Sequence, residues 1–271
     1  SRASQLVGLS VGSRPGERVL DLCAAPGGKA TMLAGDVVAV EVNEARAREL
    51  EETVQRLGAS NVRVVVADGR ALPPELTGFD RALVDAPCSG LGVLNQRPDL
   101  RWRAEPLPEL QLELLRAAAE RVRPGGTIVY SVCTVNADEA EAVVDASGLE
   151  VDRSLGDEWP RFRHPTRPEF LQTLPHVHGT AGFFVARLRA TFREHGVAGL
   201  EGAVERLHRV GHDLALALHR RRLASAANSA AAAARLVGGS VMTRCAACGS
   251  SAASIASAFL SRITPKTTGQ P

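Results

Sequence analysis

Two short runs hold thiols in settings that could make them reagents. Asp85-Ala86-Pro87-Cys88-Ser89-Gly90 and Tyr130-Ser131-Val132-Cys133-Thr134 each close an apolar stretch. A single cysteine at a strand end is usually a small, inert core residue. Two brought to one crevice invite another use, because a thiolate can add to electron-poor carbon and depart again. A third run, Asp21-Leu22-Cys23-Ala24-Ala25-Pro26-Gly27-Gly28-Lys29, has small residues that let a ligand press against backbone. It lacks the Gly-x-Gly-x-x-Gly pattern and the P-loop spacing around Lys29. Pro26 donates no hydrogen bond, so the run suits a nucleoside with a short polar chain better than a pyrophosphate. Glu41, 20 residues after Asp21, can accept from both ribose hydroxyls. Asp68 closes the next apolar run, within reach of an adenine edge. Each acid alone is equally well a surface carboxylate beside a turn. Taken together with the loop, they point to S-adenosyl-L-methionine.

These residues need a scaffold that collects strand ends. Residues 18–23, 37–42, 62–67, 81–85 and 127–132 read as strands. Helices are expected near 27–33, over 45–57 ended by Gly58, and over 108–122, a segment that holds Leu110, Leu112, Leu114 and Leu115 together with alanines. Arg123-Pro124-Gly125-Gly126 breaks the last helix before its strand. Residues 182–188 form a late strand. Strands rich in Val and Leu between helices predict an open, doubly wound, Rossmann-like α/β sheet with ligands at its carboxyl edge.

Composition sets the outer bounds. The 271 residues are 45% hydrophobic and 23% charged, which argues for a globular chain rather than wholesale disorder. No apolar run approaches the roughly 18 residues of a membrane helix. Five scattered cysteines, an odd count, do not make a disulfide framework, so a reducing cytoplasm is the expected setting. Residues 191–271 carry ten Lys or Arg against four Asp or Glu, which leaves a net −4 on residues 1–190. That split permits nucleic-acid contact without demonstrating it. The two parts are therefore expected to be a folded catalytic domain, 1–190, and a basic, Ala/Ser-rich tail, 191–271. The tail is expected to be helical at first and then poorly ordered. In it, His208-x-x-x-His212 and Cys245-x-x-Cys248 have zinc-ligand spacings, but a low-complexity stretch separates the pairs and no metal is expected. Ser1-Arg2-Ala3 has neither a starting Met nor a signal pattern and reads as the start of an excised piece.

The runs from Asp21 to Lys29, from Asp85 to Gly92 with Arg97-Pro98-Asp99 and Arg101-Trp102-Arg103, from Ser131 to Thr134, and His178-Gly179-Thr180 with Phe183-Phe184 occur in one order. In that order they resemble the RsmB/Nop2/Sun family of RNA cytosine carbon-5 methyltransferases, closest to the bacterial small-subunit rRNA enzymes. The resemblance implies a class I methyltransferase sheet. It implies Cys133 as the nucleophile that adds to carbon 6 of cytosine, and Cys88 as the group that assists elimination. Asp85 and Lys29 would hydrogen-bond the ring. Cys23, Ala24, Ala25, Pro26, Gly27, Gly28, Lys29, Glu41, Asp68 and Asp85 would hold the cofactor.

Val132 stands where the family usually has Thr, and Glu41 where Asp is commoner. Members of the family normally carry an N-terminal RNA-binding region, and the sequence given starts almost at the expected catalytic domain. The expected partner is RNA, small-subunit rRNA foremost, engaged by a monomer away from membranes. Two other readings stay open: DNA cytosine methylation through Pro87-Cys88, and a fragment that binds cofactor or RNA with little turnover.

Overall fold

The computed structural model describes residues 1–190, and the readings made for the tail, the zinc spacings among them, lie outside the described residues. The chain opens with a helix that the sequence reading overlooked, α1 (Arg2–Val11), capped by Ser1 and ended by Gly12 at φ 61°. Its buried side chains Ala3, Leu6, Val7 and Val11 lie on one stripe, and Gly8 lies against Met32. The signal was present in that spacing, but a ten-residue helix ahead of the first strand carries no motif.

Five parallel strands follow: β1 (Arg18–Asp21), β2 (Asp36–Glu41), β3 (Val62–Val66), β4 (Phe79–Asp85) and β5 (Val122–Val132). Three further strands, β6 (Glu150–Val151), β7 (Leu171–Thr173) and β8 (Phe183–Arg189), complete one sheet. Its order is β3-β2-β1-β4-β5-β8-β6, with β7 also paired to β8. The expected parallel sheet thus gains an antiparallel side, since β8 runs against β5, β6 and β7. That reversal starts β8 at the edge where β5 ends, and Val132 pairs with Phe184.

The expected helix near 27–33 shrinks to a 3-10 turn, Ala30–Met32. Leu33 is already extended, and Gly35 lies so close to the Glu17 carbonyl that a Cβ there would sit 2.2 Å from it. The Arg123–Gly126 break survives as a register shift, the β4 partners jumping from Val122 to Thr127.

Strand alternation divides the core between two faces. Val19, Val37, Ala39, Leu83, Val129 and Val185 share one cluster with α1 and with Leu50 of α2 (Glu44–Leu57). The helix after β4 comes in two parts, α3 (Leu100–Arg103) and α4 (Pro108–Arg121). α4 packs on β4 and β5 and on α5 (Glu141–Ser147). Helices on both faces bury the sheet, so its carboxyl edge is where functional groups can gather. Among the described residues no helix is long and apolar enough to cross a membrane.

If α1 belongs to this core, Leu6→Ala should cost about 2–4 kcal/mol through lost contacts and a residual cavity. Urea unfolding followed by circular dichroism measures it. A midpoint within error of the parent would show that α1 adds nothing to the folded unit.

Candidate functional site

Lys29, Asp85, Cys88 and Cys133 meet at the carboxyl edge. Lys29 Nζ lies 2.5 Å from Asp85 Oδ2, and Ser131 donates its hydroxyl to Asp85 Oδ1 at 2.6 Å. Asp85 and Ser131 are register partners on β4 and β5, so the strand pairing alone sets that second contact. Phe183, the first residue of β8, lies under the ammonium at 5.4 Å from its ring centre. The sulfurs of Cys88 and Cys133 are 3.3 Å apart, each thiol partly buried.

At that separation only one of the two sulfurs can readily hold a negative charge. The hydrogen bond from Cys88 lowers the Cys133 value, and the nearby Lys29 charge works the same way against burial and Asp85. Cys88 is pushed up, first by its bond to Cys133 and then by burial. The contact between the two sulfurs is the largest influence on both thiols; Lys29 also favours charge on Cys133, but Asp85 opposes it more strongly. Cys23, by contrast, is driven far up by burial and then by the Asp21 charge.

A buried network that the sequence reading missed holds the two cysteine loops. Glu139 has no solvent exposure. Its Oε1 accepts from the Ser89 N–H at 2.9 Å, the Leu107 N–H at 3.1 Å and the Gln111 amide at 3.0 Å. Its Oε2 takes the Ser89 hydroxyl in a short bond. Ser89 and Thr134 share a hydrogen bond at 2.9 Å, Gln111 donates to the Pro87 carbonyl at 2.8 Å, and Tyr130 donates to Gln111 and to the Glu139 carbonyl. The only available signal was Gln111, which occupies the buried face of α4 with Leu114, Leu115 and Ala118. Gly92 adds a backbone seam, donating to the Cys133 carbonyl and accepting from Gly182. A Cβ at Gly92 would sit 2.0 Å from the Gly182 carbonyl oxygen.

The loop expected to hold the cofactor adjoins this group. Ala24 and Ala25 are buried, while Pro26 and Gly28 are exposed. Gly27 adopts φ 100° and packs so tightly on α2 that a Cβ would meet Leu50 at 2.7 Å; beside Gly28 a Cβ would meet nothing within 4 Å. One glycine seats the loop and the other leaves open space. Glu41, 3% exposed, accepts from the Asn43 N–H, and Arg46 bridges from its carboxylate to the Ala25 carbonyl. Asp68 stands apart from this group, its carboxylate held by Arg70, which keeps its value below the usual range.

Asp21, the last residue of β1, is fully buried, and neither carboxylate oxygen has a hydrogen-bond partner. Burial, then the Asp85 charge, raise its value from 3.8 to about 7. Acids at three strand ends, one of them Asp21 with partnerless oxygens, stand against Lys29 and the more distant Arg46 and fit a ligand that brings positive charge. S-adenosylmethionine, with a sulfonium and an ammonium, is such a ligand. Among the described residues no group of three or more His, Cys, Asp or Glu could hold a metal.

The doubly wound sheet and the ligand loop after β1 define a Rossmann-like methyltransferase fold. The family described as 16S rRNA methyltransferase RsmB/F matches residues 9–189, and the chain belongs to that family. It is 37% identical over 206 residues to a probable ribosomal RNA small subunit methyltransferase B of Bacillus subtilis, covering 69% of this chain and 46% of the relative. It is 37% identical over 213 residues to the 25S rRNA (cytosine-C(5))-methyltransferase nop2 of Schizosaccharomyces pombe, covering 67% of this chain and 34% of that one. The chain thus spans less than half the length of these curated relatives. Among solved structures, NSun6 from Pyrococcus horikoshii with SFG superposes with a TM-score of 0.61 at 31% identity, covering 70% of this chain and 52% of that one.

The Asp21 environment has a consequence for stability. Its folded value lies above its unfolded one, so between pH 4 and 7 the folded state holds a proton that the unfolded chain has lost. Its contribution is therefore most favourable at low pH, falls as pH rises through 7, and is flat above. Asp21→Asn should remove that fall and lead the parent by about 2–4 kcal/mol at pH 8. At pH 4 the two should be close. Melting of the ligand-free protein across pH 4–8 checks this, and a constant gap would mean the carboxylate is not held protonated.

Proposed function

We propose that this chain is the catalytic part of an S-adenosylmethionine-dependent methyltransferase that acts on carbon 5 of a cytosine in RNA, with rRNA the foremost substrate. The observation that carries the reading is the pair of sulfurs 3.3 Å apart at the strand edge that also holds the Lys29–Asp85 pair. Family membership supports the class of reaction, and the nop2 relative's name specifies cytosine carbon 5. The NSun6 neighbour with SFG, an analogue of the cofactor, supports the choice of methyl donor.

Carbon 5 of cytosine is a weak nucleophile, and a thiolate cures that by adding to carbon 6. Cys133 supplies the thiolate, and the ring electrons displaced by addition make carbon 5 an enamine carbon. Asp85, fixed by Lys29 and Ser131, accepts from the exocyclic amino N–H of the base, and Lys29 donates toward its acceptor edge at O2 and N3, where the charge released by addition collects. The bound cofactor supplies an electrophilic methyl group. A base then removes the carbon-5 proton, the carbon–sulfur bond breaks, and its electron pair returns to Cys133. Cys88 stands where it can serve that step. Its ionisation is opposed first by the Cys133 sulfur, and that opposition lapses once Cys133 is bonded to carbon.

The cofactor-holding residues on this reading are Cys23, Ala24, Ala25, Pro26, Gly27, Gly28 and Lys29 of the loop, with Glu41, Asp68 and Asp85. Glu41→Ala should weaken S-adenosylmethionine binding roughly ten- to a hundredfold, the loss of charge-assisted hydrogen bonds worth about 1.5–3 kcal/mol. Calorimetry reads it, and unchanged binding would move the ribose elsewhere.

The two thiols are separated by where each variant stops. Cys133→Ala should be inactive and form no denaturant-resistant complex with RNA. Cys88→Ala should accumulate a covalent protein–RNA adduct when S-adenosylmethionine is present, seen as a slow band on a denaturing gel with RNA in excess. An adduct that survives Cys133→Ala and vanishes in Cys88→Ala would reverse the roles.

A further inference from the structure

Trp102 is the most exposed large hydrophobic side chain among the described residues, at 85%. The chain's other tryptophan, Trp159, is packed against the core. Trp102 lies in α3, between Arg101 and Arg103, and Arg97 precedes that helix. The segment is anchored to the catalytic loop. Leu100 presses on Gly90, two residues after Cys88, so closely that a Cβ on Gly90 would meet it at 2.7 Å. Asp99 braces the segment from within, taking both Nε and Nη2 of Arg97 at 3.0 Å and lying 3.8 Å from Arg103. Between residues 97 and 103 stand three arginines and one acid.

We infer that Trp102 is a stacking platform for an unpaired base of the RNA strand, with the neighbouring arginines pairing to its phosphates. This rests on the reading of RNA as substrate given above. A single aromatic ring set among guanidinium groups offers too little continuous apolar surface for a protein partner. It does match a nucleotide, which joins a flat π-face to a negative phosphate. The site also needs such cations outside it. At the strand ends Lys29 is held by Asp85 and Arg46 lies 3.5 Å from Glu41, so that edge has no surplus of cations to offer a polyanion and the rim supplies them.

The test uses the full chain and a labelled single-stranded oligoribonucleotide containing cytidine, read by RNA anisotropy and by tryptophan emission. RNA should quench emission in the parent and in Trp159→Phe, and leave emission unchanged in Trp102→Phe. Trp102→Ala should keep the parent's melting temperature and cofactor affinity while weakening RNA binding about five- to a hundredfold. RNA that binds and is methylated without quenching Trp102, and with equal affinity for Trp102→Ala, would overturn the platform and leave the substrate reading standing. No binding or methylation of any RNA would overturn both. Emission that changes with protein concentration alone, with matching sedimentation, would give the ring to a second copy of the chain and also overturn the proposal.

Discussion

A carboxylate removed from water must be met by donors, or its burial costs several kcal/mol. Glu139 is removed completely, and the donors that meet it come from Ser89, Leu107 and Gln111. The carboxylate cannot be satisfied unless the loop after β4, the start of α4 and the loop after β5 close on one point. That closure is what fixes the distance between Cys88 and Cys133. Their chemistry depends on a separation short enough for one thiol to stabilise the other as thiolate. The seam through Gly92 and Gly182 ties the start of β8 to the same point, with main chain so close that no side chain fits.

Charge at the edge follows from scarcity. Lys29 and Lys266 are the chain's only lysines, and Lys29 lies against Asp85 while acting on Cys133. Its ammonium is held by Asp85, and the two charges act on the Cys133 sulfur in opposite directions. Asp21 and Glu41 have no comparable cation as near; Arg46 is 3.5 Å from Glu41, and Asp21 is left with partnerless oxygens. An edge built this way places partnerless acid oxygens at the end of β1 and the paired thiols beyond β4 and β5.

Much of this was legible from residue order. Short apolar runs alternating with helical spacing determined the doubly wound sheet, because a strand buried on both faces needs apolar side chains throughout. The loop from Asp21 to Lys29, the acid Glu41 and the two thiols stand at strand ends by sequence position alone. Other features depended on pairing between distant segments. The sense of β8, the loss of a helix to a 3-10 turn and the docking of α1 are set by neighbours far along the chain. Asp68 shows the same limit: its position at a strand end was readable, but its engagement by Arg70 was not.

Residue types and order established which chemistry was present: thiols, acids, the lysine of the first loop, and residues there small enough to admit a ligand. Folding decided that Cys88 and Cys133 meet, because that turns on a 3.3 Å contact between segments 45 residues apart. It also decided that Glu139 matters, since a carboxylate six residues past Cys133 looks like any surface acid until its donors arrive from three other segments. Hydrogen bonds and ion pairs act over a few ångströms, and spacing along a chain does not report such distances.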